Sequence, residues 1–324
     1  MTTATTSVPP EEYAEDVAPP VSALPGPGYR ERMSRRLPLL PALIFAIIMT
    51  QLPFLYTLWI STLAWDRDHP ERGKKFVGLQ NFKKVFTDPD LRSAVITTVK
   101  LTALVVIAAV LLGLLMAVLL DRKFRGRAVV RTLMIGPFLI MPMAGALVWK
   151  HAIYNAQFGL LNGAINGVRG WFGVDEPTSW SLLSTHPLIA VAIPLIWQWT
   201  PFMMLILLAG LQSQPSDVLE ASKVDGASTW QTFRLITLPH LRQYLDLSVL
   251  LGTVYIVQAF DVIYTITRGA NGTTNLPFAI FETQVDAGDY GLTSAQGVVV
   301  VVGTIIVATF ALRTVSSLFK EEVR

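Results

Sequence analysis

Long apolar stretches with almost no charge constrain this chain more than any other feature. Six of them, at residues 37–65, 95–120, 128–149, 188–211, 244–267 and 293–312, meet the need for about 20 apolar residues if a helix is to cross a bilayer core. Inside lipid every backbone N–H and C=O must be satisfied within the segment, so such stretches resolve as helices. Charged residues make up only 15% of the chain against 52% hydrophobic, whereas ordinary soluble domains carry about 25% charged. The sequence therefore predicts an all-α membrane protein with six transmembrane helices.

Gly136, Pro137, Pro142, Pro194, Pro201 and Gly252 interrupt the third to fifth stretches. Spans tolerate such residues where neighbouring helices or a cavity satisfy the freed backbone groups. Ahead of the first stretch, residues 1–36 are proline-rich, acidic as far as Asp16, and then carry Arg30, Arg32, Arg35 and Arg36. A secretory signal starts with a basic region and a short apolar core, which this is not; a disordered cytoplasmic tail is expected. Residues 37–324 read as one helical membrane domain.

An even number of spans puts both termini on one side. With that side cytoplasmic, inner segments hold 15 of the 26 Lys and Arg and outer loops hold 10, with Lys100 inside a span. The excess agrees with the positive-inside rule, although the first outer loop alone carries seven. A net charge of +3 distributed in this way is no argument for nucleic-acid binding.

Chemistry of the chain's own is hard to find. There is no cysteine, hence no disulfide and no thiolate ligand or nucleophile. His69, His151, His186 and His240 are scattered without metal-site spacing, and no catalytic pair of carboxylates occurs. The single Gly-Lys, Gly73-Lys74, lacks the glycine and hydroxyl that a phosphate loop requires. No catalytic residue, metal or cofactor is expected in this chain. Glu282, Asp286 and Asp289 cluster in an outer loop, as a solvated face or as a docking surface. An ion-coupled transporter would show internal repeats and ionisable groups deep in its spans; no repeat is visible and Asp261 is the one candidate.

The most informative segment is the inner loop at residues 212–241, QSQPSDVLEASKVDGASTWQTFRLITLPHL. Asp217 followed by Glu220 fits a capping box, Gly226 is a helix stop, and Ser228 with Gln231 fits a second box. Pro239 is expected to limit the helix that follows. Val218, Leu219, Ala221 and Val224, then Trp230, Phe233 and Ile236, give each short helix an apolar face. Such faces outside the bilayer rest on the protein's own inner surface, on lipid headgroups, or in a partner's groove.

Residues 220–239, EASKVDGASTWQTFRLITLP, resemble the EAA loop of ABC importer permeases through Glu220, Ala221, Asp225, Gly226, Ala227, Phe233, Ile236, Leu238 and Pro239. Ser222 stands where the family usually has a second alanine. GLQNFKKVFTDP at residues 78–89 and FDVIYTITRGANGTTNLP at residues 260–277 are similar to the carbohydrate, maltose-type branch. The resemblance extends from Leu37 to the end. It implies the six-helix type I ABC importer permease fold and places residues 78–89 outside. It further implies a sugar or polyol importer working by alternating access, built from two permease subunits, two ATP-binding subunits that use ATP and Mg, and an external sugar-binding protein. Glu220, Ala221, Asp225, Gly226, Ala227 and Pro239 would couple this chain to an ATPase.

A sugar pathway needs hydroxyl-matching polar groups and flat aromatic faces near mid-membrane. Trp197, Gln198 and Trp199 in the fourth span offer these, as do Tyr255, Gln258 and Asp261, which at i, i+3 and i+6 fall roughly on one helix face. The alternatives are packing or an aromatic contact at the membrane interface for Trp197 and Trp199, core packing for Tyr255, interhelical hydrogen bonding for Gln258, and an interfacial position for Asp261.

Overall fold

The computed structural model describes residues 37–318 apart from positions 175 and 177; the tail expected at residues 1–36 lies outside them. The chain divides into an N-terminal unit ending at Phe54 and a second unit from Leu55 onward. Helix α1 (Leu40–Ile60) begins in the first unit, holds Pro53 in its interior, and has no buried residue.

Helix α1 continues into the second unit and stops at Ile60, five residues before the expected end of the first span. The reason is Asn81, buried on α2 (Gln80–Thr87), whose amide donates to Ser61 O and Leu63 O, both at 2.9 Å. Those carbonyls are drawn sideways, and the chain turns into a two-residue strand β1 (Leu63–Ala64), antiparallel to β2 (Lys75–Phe76). Asp88 then accepts from the N–H groups of Asp90 and Leu91, with Pro89 in the first turn, and starts α3 (Pro89–Asp121).

The expected third span is broken. Helix α4 (Arg127–Leu139) and helix α5 (Pro142–Val148), which continues through a wide turn at Trp149–Ile153, meet at 97°. A residue before proline is pushed out of the helical region, and Met141, before Pro142, has φ −55° and ψ 128°. After α6 (Leu160–Trp171) and α7 (Leu182–Thr185), α8 (Pro187–Gln212) runs unbroken despite Pro194 and Pro201.

The loop at residues 212–241 differs from expectation in two ways. Helix α9 (Ser216–Val224) is preceded by Pro215 with no side-chain cap, so Asp217 sits in the first turn, favourable to the helix dipole, rather than at the cap. Helix α10 (Thr229–Thr232), with the expected Ser228–Gln231 capping box, does not end before Pro239. It widens at Phe233–Thr237 and flows into α11 (Leu238–Val257). In the wide turn the Leu238 N–H reaches back five residues to Phe233 O, which accommodates Pro239 in the first turn of α11 instead of ending the helix.

The expected fifth span is also broken, between α11 and α12 (Asp261–Ile266). Helices α13 (Leu276–Val285) and α14 (Tyr290–Leu318) complete the described chain. By length and apolarity α1, α3, α8 and residues 290–310 of α14 qualify as spans, and the bent α4–α5 pair makes up to five. Helix α11, the sixth candidate, carries Arg242 and Asp246 in its first half and is not among them.

Within the second unit α3 and α8 form the main helix pair, with α11 packed on both and on α14. The core runs through Leu101, Val105 and Ala109 of α3, Met203, Met204 and Leu207 of α8, and Leu241 and Ile256 of α11. Met203 sets the spacing. A Cβ added to Gly113 would lie 2.9 Å from Met203 Cβ and from Met204 N, and one on Gly252 would lie 2.6 Å from Met203 Cε. The absent side chains let three helices close on one methionine.

Candidate functional site

Two regions carry the residues picked out in the sequence. The first is the loop. Its first helix ends in a complete Schellman motif: Ala227 N–H donates to Ser222 O at 3.0 Å and Gly226 N–H to Lys223 O at 3.1 Å. Gly226 at φ +76° supplies the left-handed residue this requires. Ser222, standing where the family usually has a second alanine, is buried, and its hydroxyl contacts Leu219 O at 2.8 Å and Thr232 Oγ1 at 3.2 Å. It joins α9 to α10. Glu220, Ala221, Asp225 and Gly226 are exposed, Ala227 and Pro239 half-buried.

The base of the loop is tied by a group that sequence reading passed over. Ser213 Oγ meets Tyr244 OH at 2.8 Å and His240 Nε2 at 3.1 Å, linking the end of α8 to the start of α11. The signal was a hydroxyl, an imidazole and a phenol at the two ends of one loop, which only folding brings together. Beyond this base the apolar faces are partly open: Val218 is 44% exposed, Val224 87% and Trp230 67%, with Leu219, Phe233 and Ile236 half-buried, and Leu235 in the wide turn is 67% exposed.

The second region lies where the two broken helices meet, α5 packing on α12. Residues two apart on a helix point about 200° apart, and Trp197 and Trp199 accordingly diverge. Trp199 stacks on Tyr255 at 4.9 Å and is edge-on to Phe138 and Phe202 at 5.6 and 5.9 Å. Trp197 instead meets Trp149 edge-on at 5.8 Å. Gln198 is buried and donates to Ile140 O, the carbonyl at the α4–α5 break, at 2.9 Å.

Tyr255, Gln258 and Asp261 do not share one helix face, because α11 ends at Val257 and Asp261 opens a new helix. Tyr255 is half-exposed, and Gln258 is exposed and bonds back to Val254 O at 3.0 Å. The break between them has its own buried amide: Asn275 donates to Ala259 O at 2.6 Å while its oxygen caps α13 by accepting from Phe278 N–H. Lys150 closes the far end of α12, donating to Thr265 O at 2.7 Å. Neither Asn275 nor Lys150 had a sequence signal, since each acts on a carbonyl more than 15 residues away. Both breaks are therefore held by side-chain donors, as freed carbonyls at membrane depth require.

Chemically, this junction offers aromatic faces and polar groups but no reactive constellation. Among the described residues no group of three or more His, Asp or Glu is placed to hold a metal.

Comparison with known proteins places this geometry. The family described as binding-protein-dependent transport system inner membrane component matches residues 109–319. The trehalose/maltose transport system permease protein MalF of Thermococcus litoralis is 35% identical over 269 residues, covering 82% of this chain and 88% of the relative. The trehalose transport system permease protein SugA of Mycobacterium tuberculosis is 29% identical over 260 residues, covering 80% and 81%. Among solved structures, a chain of a bacterial ABC transporter involved in import of the acidic polysaccharide alginate superposes with a TM-score of 0.70 at 19% identity, over 89% of this chain and 96% of that one. The fold is thus that of an ABC importer permease. This chain is a multi-pass membrane protein belonging to the family of inner membrane components of binding-protein-dependent transport systems.

Proposed function

We propose that this chain is one permease subunit of an ATP-driven importer of sugars or polyols, working by alternating access with a second permease. The observation that carries the coupling part is the loop itself: α9 and α10 are joined through Ser222 and the Schellman turn, yet leave Val218, Val224 and Trp230 uncovered, as is Leu235 in the wide turn that follows. Apolar faces outside the bilayer call for a partner surface. In this reading the loop at residues 212–241 seats in an ATP-binding subunit, which holds the ATP and Mg. Glu220 anchors it by a charge-assisted contact, Ala221, Asp225, Gly226 and Ala227 form the docking turn, and Pro239 joins it to α11.

The sugar assignment rests on the relatives named for trehalose and maltose transport and on the aromatic junction. Trp199 and Tyr255 present flat faces suited to the apolar side of a sugar ring. Gln258 and Asp261 are polar groups beside the break, and Trp197 and Gln198 shape the pathway from behind by holding α5. Both termini are cytoplasmic, and the external binding protein delivers cargo at the opposite face, where α2 and the β1–β2 hairpin lie.

The test is affinity purification of the chain from its native membrane, mass spectrometry of accompanying proteins, and assay of ATP hydrolysis with uptake in liposomes. Recovery of an ATPase and a second permease, with sugar-stimulated hydrolysis, is expected. A chain that purifies alone and moves solute without ATP overturns the reading.

A further inference from the structure

An open-sided cavity of about 530 Å³ lies between α3, α4 and α8, lined by Leu112, Met116, Met134, Pro137 and Trp197 among others. Its size is that of a ligand pocket, about 300–1,000 Å³, but such pockets converge a few polar groups on their ligand. Here the one lining hydroxyl, Thr200, already donates to Ile196 O at 2.6 Å. The cavity is unsuited to a sugar and suited to a hydrocarbon chain.

Its α4 wall continues into positive charge. Arg127, Arg131, Met134 and Pro137 fall at i, i+4, i+7 and i+10, one stripe of the helix. Arg127 and Arg131 reach the Gln212 side-chain oxygen at 2.5 and 2.8 Å, with that amide turned to face them. Arg131 Nε is left buried without a partner. In the short connection from α3, Arg122, Lys123 and Arg125 are exposed, with Phe124 44% exposed among them. Among the described residues none of these five cations is in an ion pair. Met116 is five residues from the end of α3, about 7.5 Å of helix rise, so cavity and cations adjoin at the end of a candidate span.

We propose that the cavity and the cation stripe together bind an anionic phospholipid, with an acyl chain between Met116, Met134 and Trp197 and the phosphate on Arg127, Arg131 and the adjoining cations. Clustered Lys and Arg directly beside a span attract anionic headgroups, and the apolar wall selects a headgroup that carries a chain. The site touches Gln212 at the root of the loop, so the phosphate and the Gln212 oxygen share the same two arginines.

The experiment is native mass spectrometry of the full chain in detergent, titrated in parallel with phosphatidylglycerol, with phosphatidylcholine of the same acyl chains, and with glycerol phosphate. Phosphatidylglycerol should be retained at least tenfold over either comparator. Arg127→Gln with Arg131→Gln, and separately Met134→Trp, should each remove that preference, while Arg127→Lys with Arg131→Lys keeps it. Should the glutamine pair fail to fold, Arg122→Gln with Lys123→Gln, both exposed, should still reduce retention severalfold. Equal retention of phosphatidylcholine overturns the proposal, as does equal binding of glycerol phosphate, which would mark a simple anion site. It is equally overturned if Met134→Trp leaves lipid retention unchanged but blocks association with a second membrane subunit, since the cavity would then seat a partner helix. None of these readouts depends on cargo or ATP.

Discussion

Replacing Gly226 separates two demands on the loop. At φ +76° this position is in the left-handed region, where an L side chain costs about 1–2 kcal/mol and a β-branched one lies at the upper end. About 2 kcal/mol lowers the ratio of wound to unwound turn roughly 30-fold, and unwinding releases both Schellman hydrogen bonds, from Ala227 to Ser222 and from Gly226 to Lys223. Among the described residues, the two flanking ones aside, no atom lies within 4 Å of a Cβ built there, so the cost is conformational rather than a clash. Gly226→Val should therefore insert normally but import at less than about a tenth of the parent rate. Asparagine tolerates the left-handed region, so Gly226→Asn should stay within about threefold. The assay is radiolabelled sugar uptake in cells, normalised to membrane content by immunoblot. Parent-level uptake by Gly226→Val would refute the coupling role of the turn. Failure of Gly226→Asn as complete as that of Gly226→Val would refute the dihedral argument and place the requirement in bulk at the docking surface.

Gly113→Ala should destabilise the chain by about 1–3 kcal/mol, because its Cβ meets backbone at Met204 as well as Met203; thermal unfolding in detergent measures this. Gln198→Leu strands the Ile140 carbonyl at the break and should cost about 1–3 kcal/mol; unfolding and uptake should fall together. Trp199→Ala should raise the KM for sugar by removing the face stacked on Tyr255, whereas Trp197→Ala, on the other side of α8, should alter stability more than KM. Partial desolvation, and then Asp286, push the Glu282 carboxyl above its usual 4.5. A raised acid pKa means the folded state holds the proton more tightly, so stability falls as pH rises from below 4.5 through the raised value. Glu282→Gln should remove that fall, with a gain in melting temperature at pH 7 that vanishes well below pH 4.

Features confined to a few neighbouring residues were legible without the structure. The Ser228–Gln231 box and the Gly226 stop depend on hydrogen bonds spanning three to five residues, and α3 and α8 on long runs that are mostly apolar. Pro142 was legible as an interruption because a proline constrains the residue before it, but the 97° bend that follows was not. Pro239 misled because a proline ends a regular α-helix, while a widened turn accommodates it.

What the sequence determined by itself is the membrane class, the family, and the composition of the loop, all properties of residue order and spacing. Tertiary structure alone decided which way the site residues face. Tyr255, Gln258 and Asp261 are one stripe only if the helix continues, and it stops because Asn275, 16 residues on, takes the Ala259 carbonyl. Gln198 became a staple for the α4–α5 break for the same reason. A carbonyl freed inside a membrane must find a donor wherever the fold brings one, and the identity of that donor is a fact of three dimensions.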